Sequence, residues 1–148
     1  MVSWQTVVIS LGAALLTGTA AVLVAVLNIR AQRRQQLQTR RVEAASDFSK
    51  RFTGAADAVG YALAHPDDPE ALRNAAHLVG EVTPLLGPLS LLFGDGTAAE
   101  REAGAALRDL EAARDRLAAG DVAGAGEAAA SSRAHRVAFE DAARRVVA

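Results

Sequence analysis

Hydrophobic residues fill the first part of the chain and then recur at helical spacing through the rest. From Val7 to Ile29, 23 residues pass without a charged side chain, and most of them are apolar or small. At about 1.5 Å per residue, a helix of this length crosses a hydrocarbon layer of about 30 Å. The pattern predicts a transmembrane helix at 7–29 after a short extracytoplasmic segment at 1–6. A buried helix of a soluble protein is the alternative.

The order of basic and apolar residues argues against a cleaved signal peptide, which carries its basic residues before a shorter apolar core. Here no charge precedes the apolar segment, and residues 30–51 carry seven basic side chains against two acidic ones. The positive-inside bias then predicts an N-terminus outside and a C-terminal domain in the cytoplasm. The Ala- and Arg-rich composition resembles that of high-GC bacterial genomes, so we expect a single-pass protein of a bacterial plasma membrane.

Small residues recur on one face of the predicted transmembrane helix. They are spaced by three or four positions, which puts them on one side of a helix: Ser10, Ala14, Gly18, Ala21 and Ala25. Such a face lets two helix backbones approach closely, as in transmembrane association. It predicts a homo-oligomer formed through the anchor, although an alanine-rich sequence also produces such a face by chance.

The juxtamembrane segment 30–51 reads as a basic helix that continues the anchor. Its first arginines are Arg30, Arg33, Arg34, Arg40 and Arg41. Near a membrane surface each basic residue contributes about 1 kcal/mol of attraction to anionic headgroups. Contact with anionic lipid is one role for this group, and setting the topology is the simpler one. Nucleic-acid binding is not expected, because no aromatic residue interleaves with the arginines and the chain beyond them is acidic.

Residues 52–148 carry a net charge of −6 and predict a small helical bundle. Proline and glycine divide it, and the helices expected are 36–64, 69–93 with a break, 98–119 and 122–147. Asp68, Thr97 and Asp121 stand where N-caps would stand. The fold class is therefore all-α, with one N-terminal transmembrane helix continuing into a cytoplasmic bundle of about four helices.

Apolar periodicity predicts which side chains the bundle buries. The positions include Leu37, Phe48, Phe52, Val59, Leu72, Ala75, Ala76, Val79, Leu107, Leu110, Ala129, Phe139 and Val146. The apolar run Leu85–Phe93 has nine residues, too few to span a bilayer. A buried short helix is the favoured interpretation of this run, and an interfacial element is the alternative.

Candidate chemistry is sparse. Without cysteine the chain has no disulfide, thiolate nucleophile or cysteine-ligated metal. The histidines His65, His77 and His135 stand apart from one another, and none has metal-ligand spacing; His77 and Glu81, one turn apart, read as an exposed polar pair. Asp67, Asp68 and Asp95 fit turn and capping roles. We therefore predict no catalytic, cofactor-binding or metal site.

Two functions from different classes fit these features. The first is a membrane-anchored interaction or scaffold protein, not an enzyme, whose acidic bundle docks an unidentified cytoplasmic protein. The second is a membrane-active, pore-forming or holin-like protein in which Leu85–Phe93 enters the bilayer after oligomerisation. The acidic bundle is larger than the second role needs, so the first is preferred.

Overall fold

The computed structural model describes the backbone of residues 4–147 and the side chains of residues 24–147. The helices, in chain order, are α1 Trp4–Ala64, α2 Pro69–Val82, a 3-10 turn Thr83–Leu85, α3 Leu86–Phe93, α4 Ala98–Ala118 and α5 Val122–Val147. No strand occurs in residues 4–147, which confirms the all-helical prediction for this part of the chain. The chain divides into two compact units, Met1–Gln38 and Thr39–Ala148, and the helical bundle is the second.

The predicted transmembrane helix at 7–29 lies mostly outside the residues whose side chains are described, and it stays a prediction together with the segment 1–6. Among the described residues, one helical stretch is long and apolar enough to cross a membrane, Pro69–Phe93. It includes the 3-10 turn and contributes Val79, Val82, Leu89 and Phe93 to the bundle core. The core helices of a bundle meet the same criteria of length and composition.

Local chemistry fixes the helix ends of the bundle. The Asp68 carboxylate accepts from the Glu70 backbone N–H at 2.9 Å, with Pro69 in the first helical position. The Thr97 hydroxyl likewise accepts from the Glu100 N–H at 3.3 Å and starts α4. These side chains satisfy amide donors that a helix start leaves without an intrahelical acceptor. The predicted N-caps at both positions are confirmed.

The turn between α4 and α5 is built on Gly120 and Asp121. Gly120 has φ +80°, a left-handed conformation in which a side chain would be strained, and it ends α4. Asp121 then caps α5 by accepting from the Gly124 N–H at 2.9 Å. Arg116 joins the two helix ends by donating to the Gly124 carbonyl at 2.8 Å. The result is an antiparallel helical hairpin of α4 and α5.

One continuous core joins all the helices of the bundle, and most of its members are alanines. Its largest side chains include Phe48 and Phe52 of α1 and Phe139 of α5, all fully or almost fully buried. Phe139 meets Phe48 edge-on with ring centroids 5.0 Å apart and Phe93 at 6.4 Å. This aromatic contact connects α1, α3 and α5, which lie far apart in sequence.

Most of the predicted buried positions are buried or half-buried, and three of them are exposed. Leu37, Ala76 and Val146 are exposed, although the apolar spacing assigned them to the core. Leu37 precedes the bundle, and Val146 lies one residue before the end of α5, where few neighbours remain to cover it. Ala76 lies on the outer edge of α2 beside the buried Ala75. Apolar periodicity identifies the apolar face of a helix but does not show how much of that face the neighbouring helices cover.

Replacing Phe139 with alanine should remove the aromatic contact that joins α1 to α5. We expect Phe139→Ala to lower the free energy of unfolding of the full chain in detergent by about 3–5 kcal/mol, through lost burial and a residual cavity. Urea titration followed by far-UV circular dichroism measures it. Val137→Ala, on the exposed side of the same helix, is the control and should change stability by less than about 0.5 kcal/mol. Equal effects of the two substitutions would contradict the assigned core.

Candidate interaction site

Several polar side chains of the bundle stabilise its own helices and turns. Two of the aspartates assigned turn and capping roles stabilise the bundle, since Asp68 caps α2 and Asp95 accepts from the Ser90 hydroxyl. His77 and Glu81 form an exposed pair at 3.5 Å, as their spacing predicted. Among the described side chains, no group of three or more histidines and carboxylates is arranged to hold a metal ion.

A polar cluster between α4 and α5 was not anticipated from the sequence. His135 Nδ1 lies 2.7 Å from Glu102 Oε2, and its Nε2 lies 3.8 Å from Asp109 Oδ2. The Ser131 hydroxyl donates to the same Asp109 carboxylate at 2.5 Å. Because Ser131 is directed at the carboxylate and not at the imidazole, the arrangement differs from that of an activated nucleophile. The cluster joins two neighbouring helices across their partly exposed edge.

The five arginines predicted to contact lipid fall into two groups. Arg30, Arg33, Arg34 and Arg40 are exposed. The guanidinium of Arg41 instead donates to the Leu92 carbonyl at 2.7 Å and lies 6.0 Å from the centre of the Phe93 ring. It satisfies one of the carbonyls left open at the C-terminus of α3, where a positive charge is also favourable. Lipid contact stays a prediction for the group, and Arg41 already has a structural role.

The predicted association face of the anchor can be followed only at its last position. Ala25 is exposed. Ser10, Ala14, Gly18 and Ala21 lie outside the residues whose side chains are described, so association through this face stays a prediction. The candidate interaction surfaces among the described side chains lie on the bundle.

Leu91 is the most exposed large hydrophobic residue described, at 89% of its full surface. It belongs to α3, within an uncharged segment from Val82 to Gly94. The favoured interpretation of Leu85–Phe93 as a buried helix holds for Leu89 and Phe93 and is wrong for Leu91, because an eight-residue helix cannot turn every apolar side chain inward. A leucine this exposed beside other apolar residues makes this face a candidate interaction surface.

Leu91 lies at the edge of a depression between α1 and α3, here called the α1–α3 cleft. Its apolar side is formed by α3 and its charged side by α1; the lining residues are Arg40, Glu43, Ala44, Asp47, Pro88, Leu91 and Leu92. The exposed Leu91 side chain forms an apolar protrusion at the edge of this cleft, and two carboxylates and one guanidinium lie beside it.

A second depression, the α1–α5 groove, has a volume of about 490 Å³. Its lining is mainly apolar and comprises Val42, Ala45, Ser46, Ser49, Phe139, Glu140, Ala143, Arg144 and Val147. The Arg144 side chain at its rim is 74% exposed and lies 3.2 Å from Asp141 and 3.9 Å from Glu140. Glu140 is 26% exposed and also pairs with Arg136 at 2.7 Å, so Arg144 is the more exposed of the two charged residues that line the groove.

No protein-family model, curated protein or solved structure matches this chain.

Replacing Arg41 tests whether its hydrogen bond to Leu92 stabilises the bundle. We expect Arg41→Met to lower the free energy of unfolding by about 1.5–3 kcal/mol, because a charge-assisted hydrogen bond to a helix carbonyl is lost. Arg40→Met removes an exposed guanidinium one position away and should change it by less than about 0.5 kcal/mol. Denaturant titration of the full chain in detergent gives both values. A larger loss for Arg40→Met would contradict the assignment.

A double-mutant cycle tests the polar cluster between α4 and α5. Replacing Glu102 and His135 singly and together with alanine should give a coupling energy of about 0.5–1 kcal/mol, as expected for a partly exposed pair. The matched control is the same cycle on His77 and Glu81, a more exposed pair within one helix, which should couple by about 0.3 kcal/mol or less. No coupling between Glu102 and His135 would mean that the contact does not stabilise the hairpin.

Proposed function

We propose that this protein is a single-pass membrane-anchored interaction or scaffold protein, with its N-terminus outside and its helical bundle in the cytoplasm. The observation that carries the proposal is the exposed Leu91 beside a charged rim. An apolar side chain kept in water has no stabilising effect on the monomer, whereas its burial against a partner contributes favourably to binding.

Anchoring is supported by the sequence of the first 51 residues. The uncharged segment 7–29 has the length of a membrane span, and the basic residues that follow favour retention on the cytoplasmic side. Residues 24–40 are exposed throughout, as a helix leaving a membrane would be, and packing of α1 against the bundle begins at Arg41. Anchoring would concentrate the bundle at the membrane surface and restrict its orientation there, so a modest contact could be sufficient for assembly.

A pore-forming or holin-like role is the second candidate, and one observation favours it: the stretch Pro69–Phe93 is long and apolar enough to cross a membrane. Insertion of this stretch would remove Val82, Leu89 and Phe93 from the core and leave the facing residues of α1 and α4 in water. Induced expression that dissipates the membrane potential would support this role, and growth with an intact potential would contradict it.

Cysteine accessibility tests the proposed topology, because the chain has no native cysteine. We expect Ser3→Cys to react with a membrane-impermeant maleimide in intact cells, and Ala130→Cys to react only after permeabilisation. Both variants should remain in membranes washed with alkaline carbonate. The reverse labelling pattern would contradict the proposed orientation, and release by carbonate would contradict the anchor.

A photoreactive amino acid at position 91 tests the interaction role. In membranes, the full chain carrying it should form adducts heavier than one chain, because Leu91 would face its partner. The same group at Ala130, an exposed position on α5, is the matched control and should give fewer adducts. Equal or absent adduct formation at the two positions would contradict docking through Leu91.

A further inference from the structure

The α1–α3 cleft and the α1–α5 groove lie beside the same part of α1. The cleft is lined by α1 residues from 40 to 47 and the groove by α1 residues from 42 to 49. At 100° per residue, the two sets fall on either side of Phe48 around the helix circumference. The bundle therefore carries an apolar protrusion on one flank of α1 and an apolar recess on the other, at the same level along the helix.

We propose that the α1–α5 groove receives Leu91 of a second copy of this chain. The inference deepens the proposed scaffold role and rests on it, because it identifies the partner as the protein itself. Leu91 supplies the apolar side chain, with Pro88 beside it in the cleft. Val42, Ala45 and Ala143 of the second copy supply the apolar walls of the recess. Insertion removes both apolar surfaces from water, which is the main favourable contribution to association.

Charge complementarity supports this choice of occupant. The rim of the cleft carries Arg40, Glu43 and Asp47; Asp47 pairs with Arg51 at 3.4 Å, so Glu43 is the rim carboxylate outside that ion pair. The rim of the groove carries Glu140 and Arg144, and Arg144 is the more exposed of the two. Arg144 is itself 74% exposed and its ion pairs in its own chain are at least 3.2 Å long, so exchange for a carboxylate of another copy has little cost. Opposite charges around an apolar contact fix its register and disfavour pairing of two identical flanks.

The contact is heterologous, since the protrusion and the recess are different surfaces of the same chain. After two copies associate, one protrusion and one recess remain open, so assembly continues into a closed ring or an open row. In the proposed anchored state, neighbouring copies carry equivalent residues at equivalent heights above the membrane. A protrusion and a recess at the same level of α1 then meet with little vertical offset, and confinement to the membrane raises their effective concentration.

Crosslinking between single cysteines tests the contact in the full chain in native membranes. Two differently tagged chains, one with Leu91→Cys and one with Ser46→Cys in the groove, are expressed together and treated with a short bismaleimide. We expect a crosslinked heterodimer from the mixture and monomers from either variant alone. A chain carrying both cysteines should give a ladder of higher oligomers. Val122→Cys, near the opposite end of α5 from the groove, replaces Ser46→Cys as the control partner and should give no heterodimer.

Charge reversal tests the rim. Adding Glu43→Arg to the Leu91→Cys chain should lower the yield of heterodimer by roughly two- to fivefold, the range of an exposed ion pair. Adding Arg144→Glu to the Ser46→Cys chain should lower it similarly. Both reversals together should restore the yield, because the opposite charges again face each other across the two chains. Losses that add up without restoration would contradict the proposed register.

The remaining outcomes separate this inference from the proposed function. Efficient dimerisation of either single variant alone would indicate a two-fold symmetric contact and would overturn the heterologous arrangement. Absence of heterodimer while the chain stays in carbonate-washed membranes would overturn the contact and leave the anchor intact. Release of the chain from those membranes would contradict the anchor, and a heterodimer formed in that released fraction would still support the contact.

Discussion

The contact of Phe48 with Phe139 is the interaction on which the rest of the bundle depends. Most other core members are alanines, whose single methyl groups bury little surface and allow helices to approach without fixing their positions. The four phenylalanines of the chain, Phe48, Phe52, Phe93 and Phe139, meet in one cluster and supply the bulk that alanine lacks. The cluster holds together α1, α3 and α5, which are not consecutive helices in the chain.

Arg41 shows how this cluster extends to the polar surface. Its guanidinium lies near the Phe93 ring and donates to the adjacent Leu92 carbonyl, so one side chain borders the aromatic core and satisfies a carbonyl at the C-terminus of α3. This arrangement fixes the end of α3 and, with it, the position of Leu91 outside the core. The exposure of that leucine is therefore a consequence of well-packed neighbours and needs no local disorder to explain it.

Features set by nearby residues could be predicted from the sequence, and features set by distant ones could not. The starts of α2, α4 and α5 follow from Asp68, Thr97 and Asp121, because each N-cap side chain binds an amide within three residues of its own position. The contact of Arg41 with Leu92 spans 51 positions, and that of His135 with Glu102 spans 33. No local pattern shows that such residues meet. The apolar run Leu85–Phe93 indicated a core helix correctly, but without the position of α1 it could not show which leucine stays outside.

The order of the helices along the chain has a consequence for synthesis. The α4–α5 hairpin forms through contacts between helices that are adjacent in sequence. Phe48 can make its contact only after Phe139, the last large core residue in the sequence, has been synthesised. At ordinary translation rates of about 5–20 residues per second, the intervening segment takes roughly 5–20 s to emerge. During that interval the phenylalanines of α1 lack their contact with α5. The nascent chain is therefore most vulnerable to misassembly before α5 is complete, and truncation before Phe139 leaves that aromatic surface permanently open.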